Sequence, residues 1–261
     1  MATDASSLFQ LTGKVALVTG GYGGIGAPVC RGLGQMGARV AVAGHNRDKA
    51  EACAESLRAD GLDAQAATFD ALAPADITRM VDEVAAKFGR IDILIDLVGG
   101  QREEKAGDVT EPNFDEVIGL NLKTAMFQAQ AAARHMISQG TGGKLLFFGS
   151  VRSQLALRGR GFAAYCAAKG GLSILVKQLA AEYAEHKINV NALAPTFTRT
   201  PQVARWLDDP DFYKNLVARI PLGRVAEPED IVGAVLFFVS GASSFVTGET
   251  LYIDGGITAT Q

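Results

Sequence analysis

Short apolar runs alternate with longer amphipathic stretches along the chain. Val15–Thr19, Arg39–Gly44, Ala64–Phe69, Ile91–Val98, Lys144–Gly149, Lys187–Leu193 and Thr250–Asp254 read as strands. These runs lack polar alternation, which predicts a sheet covered on both faces. Between them, Ile25–Met36, Arg47–Asp60, Pro74–Phe88, Pro112–Ser138, Phe162–Glu185 and Pro228–Ser240 carry helical patterns. A strand–helix rhythm of this kind predicts an α/β fold, a doubly wound parallel sheet of about seven strands with right-handed crossovers. Ligands of such sheets bind beyond the carboxyl ends of the strands. No linker or repeat divides residues 1–261, so a single domain is expected. Residues 196–225 break the rhythm with Pro201, Pro210, Pro221 and the only tryptophan, Trp206, and suggest a loop that covers substrate.

Composition narrows the function. The net charge is -3 and the sequence pI about 5.7, with no basic tract to serve a nucleic-acid partner. The longest apolar run, Ile231–Val239, is too short to span a bilayer, and residues 1–10 lack a secretory core. Cys30, Cys53 and Cys166 are scattered, and His45, His135 and His186 do not cluster, so no metal site is expected. The odd, scattered cysteines point to a reducing compartment, and a cytoplasmic location is the expectation.

Two motifs carry chemistry. Tyr165-Cys-Ala-Ala-Lys169 sets a phenol and an ammonium one helical turn apart on the same face. A fixed cation favours the phenolate and could bring a group of ordinary pKa about 10 into acid/base range. Thr19-Gly-Gly-Tyr22-Gly-Gly24-Ile25-Gly26 follows the first strand and opens the first helix. Gly20, Gly24 and Gly26 allow a sharp turn and close approach to a pyrophosphate, with helix amides facing the anion.

Together these residues resemble the short-chain dehydrogenase/reductase family in its compact, Rossmann-type single-domain form, over nearly the whole chain. The glycine segment and the Tyr165/Lys169 pair match its two defining motifs. Asn121 in Gly119–Lys123 matches its helix asparagine, and Ser150 at the end of the fifth strand matches its active-site serine. Asn191–Pro195, with Thr198 and Thr200, matches the segment flanking the nicotinamide. Thr247-Gly248 and Asp254–Gly256 match the C-terminal signature. The resemblance implies that Tyr165 exchanges a proton with the substrate oxygen and that Lys169 lowers the tyrosine pKa and holds the nicotinamide ribose. Ser150 would donate to the reacting oxygen, and Asn121 would support a water linking Lys169 to solvent. It also implies a homotetramer built on the helices Pro112–Ser138 and Phe162–Glu185 and the last strand.

Three departures stand out. The usual Asn-Asn-Ala-Gly segment is Asp96-Leu-Val-Gly99, which removes the side-chain amides expected to brace the sheet but keeps Gly99 for backbone contact with the cofactor. Thr196 replaces the glycine after Pro195. The step from Ser150 to Tyr165 is longer than usual, and Ser153 is a rival for the serine role.

For the cofactor, the end of the second strand reads Gly44-His45-Asn46-Arg47-Asp48. It has no acid to hold a ribose 2′-OH, and Arg47 is within reach of a 2′-phosphate, which favours NADP(H) over NAD(H). Arg47 could equally be a solvated helix start. Asp70 and Ala71 end the third strand, at the edge that would face an adenine. Arg152, Arg158 and Arg160 follow Ser150, Arg102 and Lys105 follow the fourth strand, and Arg199 and Arg205 open the covering loop. Such a concentration of guanidinium groups suits an anionic substrate, with Arg152, Arg158 and Trp206 as candidate contacts; exposed arginines paired with Glu103 and Glu104 are the alternative. The leading expectation is an NAD(P)-dependent oxidoreductase of a small polar alcohol or ketone, with an acidic sugar or hydroxy acid as the candidate substrate. A 3-oxoacyl thioester (acyl-carrier-protein) reductase and a catalytically silent dinucleotide sensor are the alternatives.

Overall fold

The computed structural model describes residues 4–260. Seven parallel strands form one sheet: β1 (Val15–Thr19), β2 (Arg39–Gly44), β3 (Ala64–Thr68), β4 (Ile93–Asp96), β5 (Gly143–Phe148), β6 (Ile188–Pro195) and β7 (Thr250–Ile253). Their spatial order is β3-β2-β1-β4-β5-β6-β7. The winding direction reverses between β1 and β4, and a crevice opens there at the carboxyl ends.

The apolar runs work because the inner strands feed two cores. Val15 and Leu17 of β1 pack with α3 (Pro74–Phe88), α5 (Thr124–Gln139) and α6 (Ala163–Tyr183) on one face. Ala16 and Val18 point the other way, toward α1 (Gly26–Gln35), α2 (Arg47–Ala59) and α9 (Glu229–Val239). Burying a side chain such as Leu17 or Val18 fully contributes roughly 1.5–3 kcal/mol. Strands buried on both faces need apolar residues at every position, which is why no alternation is visible.

Two elements differ from expectation. The helix expected over Pro112–Ser138 is α4 (Glu111–Ile118) and α5, joined by a π turn at Gly119–Lys123. The stretch 196–225 is not a plain loop. It holds α7 (Ala204–Leu207) and α8 (Pro210–Val217). Asp209 caps α8 by accepting from the amides of Asp211 and Phe212, and Pro210 sits in its first turn, where a missing N–H costs nothing. Leu207, Leu216, Ile220 and Val225 give the segment a small core of its own with Val151 and Ile257. No helix among the described residues is long and apolar enough to cross a membrane.

Candidate active site

The turn after β1 is shaped by steric necessity. Gly20 has φ +71°, in the left-handed region. A Cβ on Gly26 would lie 2.3 Å from the Gly20 carbonyl oxygen, and one on Gly24 would lie 2.6 Å from Thr200. No side chain caps the N-terminus of α1 at Ile25; the Ala27 amide is bonded to the Gly23 carbonyl and Pro28 has no N–H, which leaves the amides of Ile25 and Gly26 at the crevice. This is a cradle for an anion.

The crevice holds a cavity of about 300 Å³. Gly20, Gly24, Ile25, Gly26, Gly99, Asn121, Ser150, Tyr165, Lys169, Pro195, Thr198 and Thr200 all line it, as do Arg152 and Trp206. The sequence-predicted catalytic set is therefore assembled in one place from α5's leading turn, the end of β5 and α6. The π turn buries Asn121, whose Nδ2 donates to the Val117 carbonyl at 2.8 Å and to the Gly100 carbonyl at 2.6 Å. Lys169 is buried and donates to the Phe148 carbonyl at 2.6 Å. Asn121 Oδ1 and Thr196 Oγ1 are buried with no hydrogen-bond partner, and both residues line the cavity. Unsatisfied atoms of this kind demand a polar occupant. The open amides, the glycine cradle and these two atoms fit a dinucleotide lying from α1 to Lys169.

Ser150 faces the cavity and accepts from the Arg152 amide at 3.1 Å. The rival Ser153 is tied down elsewhere. It donates to the Ser150 carbonyl at 2.8 Å and bonds the Tyr252 hydroxyl at 2.9 Å, outside the cavity lining.

The ends of β2 and β3 continue the same edge beyond the cavity. Tyr22 covers Gly44, where a Cβ would meet its ring at 2.3 Å. The Tyr22 hydroxyl accepts from the Asn46 amide at 3.1 Å and lies 3.0 Å from His45 Nδ1. Asn46 Oδ1 is spent on capping α2. Arg47 is exposed, and no ion pair among the described residues engages it. Asp70 is exposed beyond the end of β3, with its Oδ1 on the Leu72 amide at 2.9 Å, and the Ala71 carbonyl accepts from Thr124.

Comparison with known proteins decides the family. A family model described as enoyl-(acyl carrier protein) reductase matches residues 12–258. A gluconate 5-dehydrogenase of Gluconobacter oxydans is 39% identical over 254 residues, 96% of this chain and 97% of that protein. The 2-dehydro-3-deoxy-D-gluconate 5-dehydrogenase of Escherichia coli is 37% identical over 251 residues, 96% of this chain and 97% of that protein. A gluconate 5-dehydrogenase structure from Burkholderia cenocepacia, in complex with NADP and tartrate, is 36% identical with a TM-score of 0.94, over 99% of this chain and 100% of that one. The chain belongs to the short-chain dehydrogenase/reductase family.

As a short-chain dehydrogenase/reductase, the protein is an NAD(P)-dependent oxidoreductase acting on hydroxyl and keto groups. Its electrostatics depart from the sequence expectation at Tyr165. Burial pushes the phenol's pKa up, opposed by a hydrogen-bonding contact with Ser150 and by the Arg152 charge. Lys169 does not contribute to that opposition. Its ammonium lies 5.7 Å from the ring centroid, turned to the Phe148 carbonyl. Burial instead brings the Lys169 amine down to about 8, against a pull upward from Asp96.

The arginines also sort themselves. Arg160 lines the cavity but is paired with Glu103 and stacked on Phe162. Arg102 pairs with Glu116, and Arg199 pairs with Glu227. Arg205 stacks 4.2 Å over Trp206. Arg158 is exposed and does not line the cavity, so of the predicted substrate residues it alone is not brought to the site. Arg152 differs from all of these. It is buried against the cavity, its guanidinium donates only to the Leu155 carbonyl at 3.0 Å, and it has no carboxylate partner among the described residues. Burial, then the like charge of Arg219, pulls its pKa down. Phe197, Gln202 and Leu157 also line the cavity and carry no sequence motif that would have marked them.

Proposed function

We propose that the protein interconverts the hydroxyl and keto forms of a small sugar acid or hydroxy acid with NADP(H). The observation that carries the acidic substrate is Arg152, a buried guanidinium beside Tyr165 and Ser150 with no counter-charge of its own. An uncompensated buried cation is costly, and an anionic ligand offsets that cost with charge-assisted, bidentate hydrogen bonds. The relatives point the same way: the neighbouring Burkholderia enzyme was crystallised with NADP and tartrate, and the Gluconobacter and Escherichia relatives are named for gluconate chemistry.

In this reading the bound dinucleotide supplies or accepts the hydride at its nicotinamide. Tyr165 gives the substrate oxygen a proton during reduction and takes it back during oxidation. A phenol held up by burial is a proton donor at neutral pH, and the Arg152 charge stabilises the phenolate formed when it donates. Ser150 Oγ donates to the same oxygen and fixes its position. Lys169 would hold the nicotinamide ribose, and Asn121 Oδ1 would accept from a polar group bridging it to Lys169. Arg47, Tyr22, His45 and Asn46 form the end of the adenosine site, where the absence of an acid and the free Arg47 favour a 2′-phosphate. Residues 196–225 cover the substrate, with Trp206 on the cavity wall.

A 3-oxoacyl thioester reductase is the second reading, favoured by the apolar wall of Phe162, Phe197 and Trp206. Steady-state assays with NADPH and NADH against keto-hexonates, neutral ketoses and an acetoacetyl thioester separate the two. Preferential turnover of the keto-hexonates is expected. Equal turnover of neutral ketoses, or preference for the thioester, overturns the acidic-sugar reading. A homotetramer is part of the proposal, supported by exposed Leu251 on the edge strand β7, fully exposed Phe245 before it and exposed Ile174 on α6. Sedimentation tests it. A cytoplasmic location accords with the three free cysteines.

A further inference from the structure

Tyr22 is the one aromatic residue of the glycine turn, and the neighbouring strand sets its place. β2 ends in Gly44, where a Cβ would lie 2.3 Å from Tyr22 Cε1. The ring therefore lies directly on the β2 backbone, and glycine is what leaves room for it. From that seat the hydroxyl bridges the next two residues of the chain. It accepts from the Asn46 amide at 3.1 Å and lies 3.0 Å from His45 Nδ1. The two rings also meet edge to face, with centroids 6.0 Å apart.

His45 is exposed, and Tyr22 supplies the contacts that hold its ring among the described residues. These contacts fix chemistry as well as position. A phenol has one proton and two lone pairs, and the Asn46 amide takes one lone pair. A neutral imidazole that also uses the phenol's proton accepts it at Nδ1 and carries its own hydrogen on Nε2. An imidazolium donates from Nδ1 to the second lone pair and again carries a hydrogen on Nε2. In both arrangements Nε2 is a donor, and no protein group among the described residues takes its hydrogen. The Asn46 side chain, by contrast, is spent on the Lys49 amide at 3.0 Å. His45 Nε2 and the Arg47 guanidinium are thus two unclaimed donors side by side at the carboxyl end of β2.

We propose that Tyr22 is a positioning residue for cofactor choice, pinning His45 so that Nε2 donates to the 2′-phosphate of the adenosine ribose beside Arg47. Its hydroxyl is already engaged on both sides, so it acts through the imidazole rather than on the phosphate. The inference rests on the adenosine lying at the end of β2, as in the function proposed above.

The test is the dissociation constant of NADPH and of NADH, read by nicotinamide fluorescence with no substrate present, for the wild type, Tyr22→Phe, His45→Ala and the double variant. Tyr22→Phe keeps the ring on Gly44 and removes only the hydroxyl. It is expected to weaken NADPH about three- to tenfold, the range of one hydrogen bond, and to leave NADH near wild type. His45→Ala is expected to weaken NADPH at least as much. In the double variant the losses should not add, because Tyr22 has nothing to pin once the imidazole is gone. A ring that only packs the turn would move both dinucleotides together. Thermal melts show whether each variant is folded, and if Tyr22→Phe does not fold, the ratio in His45→Ala decides. An unchanged NADPH-to-NADH affinity ratio overturns this proposal alone. So does a ratio that rises because the hydroxyl had kept the Asn46 amide from the phosphate, or a pair of losses that simply add. A wild type that binds NADPH no more tightly than NADH, or binds neither, overturns the 2′-phosphate reading and this proposal with it.

Discussion

The glycine turn after β1 and the arginine-bearing stretch after β5 line the same cavity but are held by different forces. The first is fixed by backbone sterics. Added Cβ atoms at Gly20, Gly24 and Gly26 would meet Leu97, Thr200 and the Gly20 carbonyl at 3.0 Å or less. The second is fixed by side-chain hydrogen bonds, one long-range, with Arg160 on Glu103 57 residues away, and one local, with Arg152 on the Leu155 carbonyl. A ligand shared by a whole family, with an invariant pyrophosphate, can be met by backbone alone. A substrate that varies between relatives is met by replaceable side chains on a segment with its own small core.

The comparison can be broken at several points. The largest effect is expected where the two walls meet. Tyr165→Phe removes the exchangeable proton and should lower kcat by about 10³-fold, a general acid's typical share, while dinucleotide affinity measured by fluorescence stays near wild type. Retention of a tenth of the activity would contradict the acid/base role. On the cofactor wall, Gly26→Ala places a methyl 2.3 Å from a backbone oxygen. It should destabilise the protein by about 1–3 kcal/mol in denaturant unfolding and weaken both dinucleotides alike. On the substrate wall, Arg152→Gln should reduce kcat/KM for acidic substrates by about 10- to 100-fold, the worth of a charged hydrogen bond, and leave neutral ketones far less affected. Equal losses for both classes would remove the anion-recognition idea. Arg47→Glu should shift the NADPH-to-NADH affinity ratio by about tenfold toward NADH, through Coulomb repulsion of a 2′-phosphate near the surface. The smallest effect belongs to Arg158→Ala, an exposed residue off the cavity, expected to change stability by less than about 0.5 kcal/mol and substrate preference not at all.

The same contrast explains what the sequence made legible. The five inner strands could be read because strands covered on both faces are mostly apolar, and the glycine turn because steric demand leaves few residue choices. Asn121, Ser150, Tyr165 and Lys169 were legible as a spaced set, and the fold brings them to one cavity. The direction of the Tyr165 shift was not, because burial and the approach of Arg152 are properties of packing rather than spacing. The bracing of Asp96 by Gln128, 32 residues away, was hidden for the same reason. The arginines looked alike in sequence. Only the fold shows that Glu103, Glu116 and Glu227 have claimed Arg160, Arg102 and Arg199. Helices α7 and α8 were masked by three prolines, one of which starts a helix rather than preventing one.

The π turn at Gly119–Lys123 makes the long helix act as a phase shifter. It inserts one residue into the winding, so Asn121 faces the crevice while the apolar face of α5 still meets β1 and β4. Each α-helical residue turns the chain by about 100°. Deleting one residue within the π turn would let the helix close as an unbroken α-helix. Its two ends would then be out of step, and either the amide would leave the crevice or Ala125, Ala129 and Met136 would rotate out of the core. A single codon there sets the alignment of an entire helix.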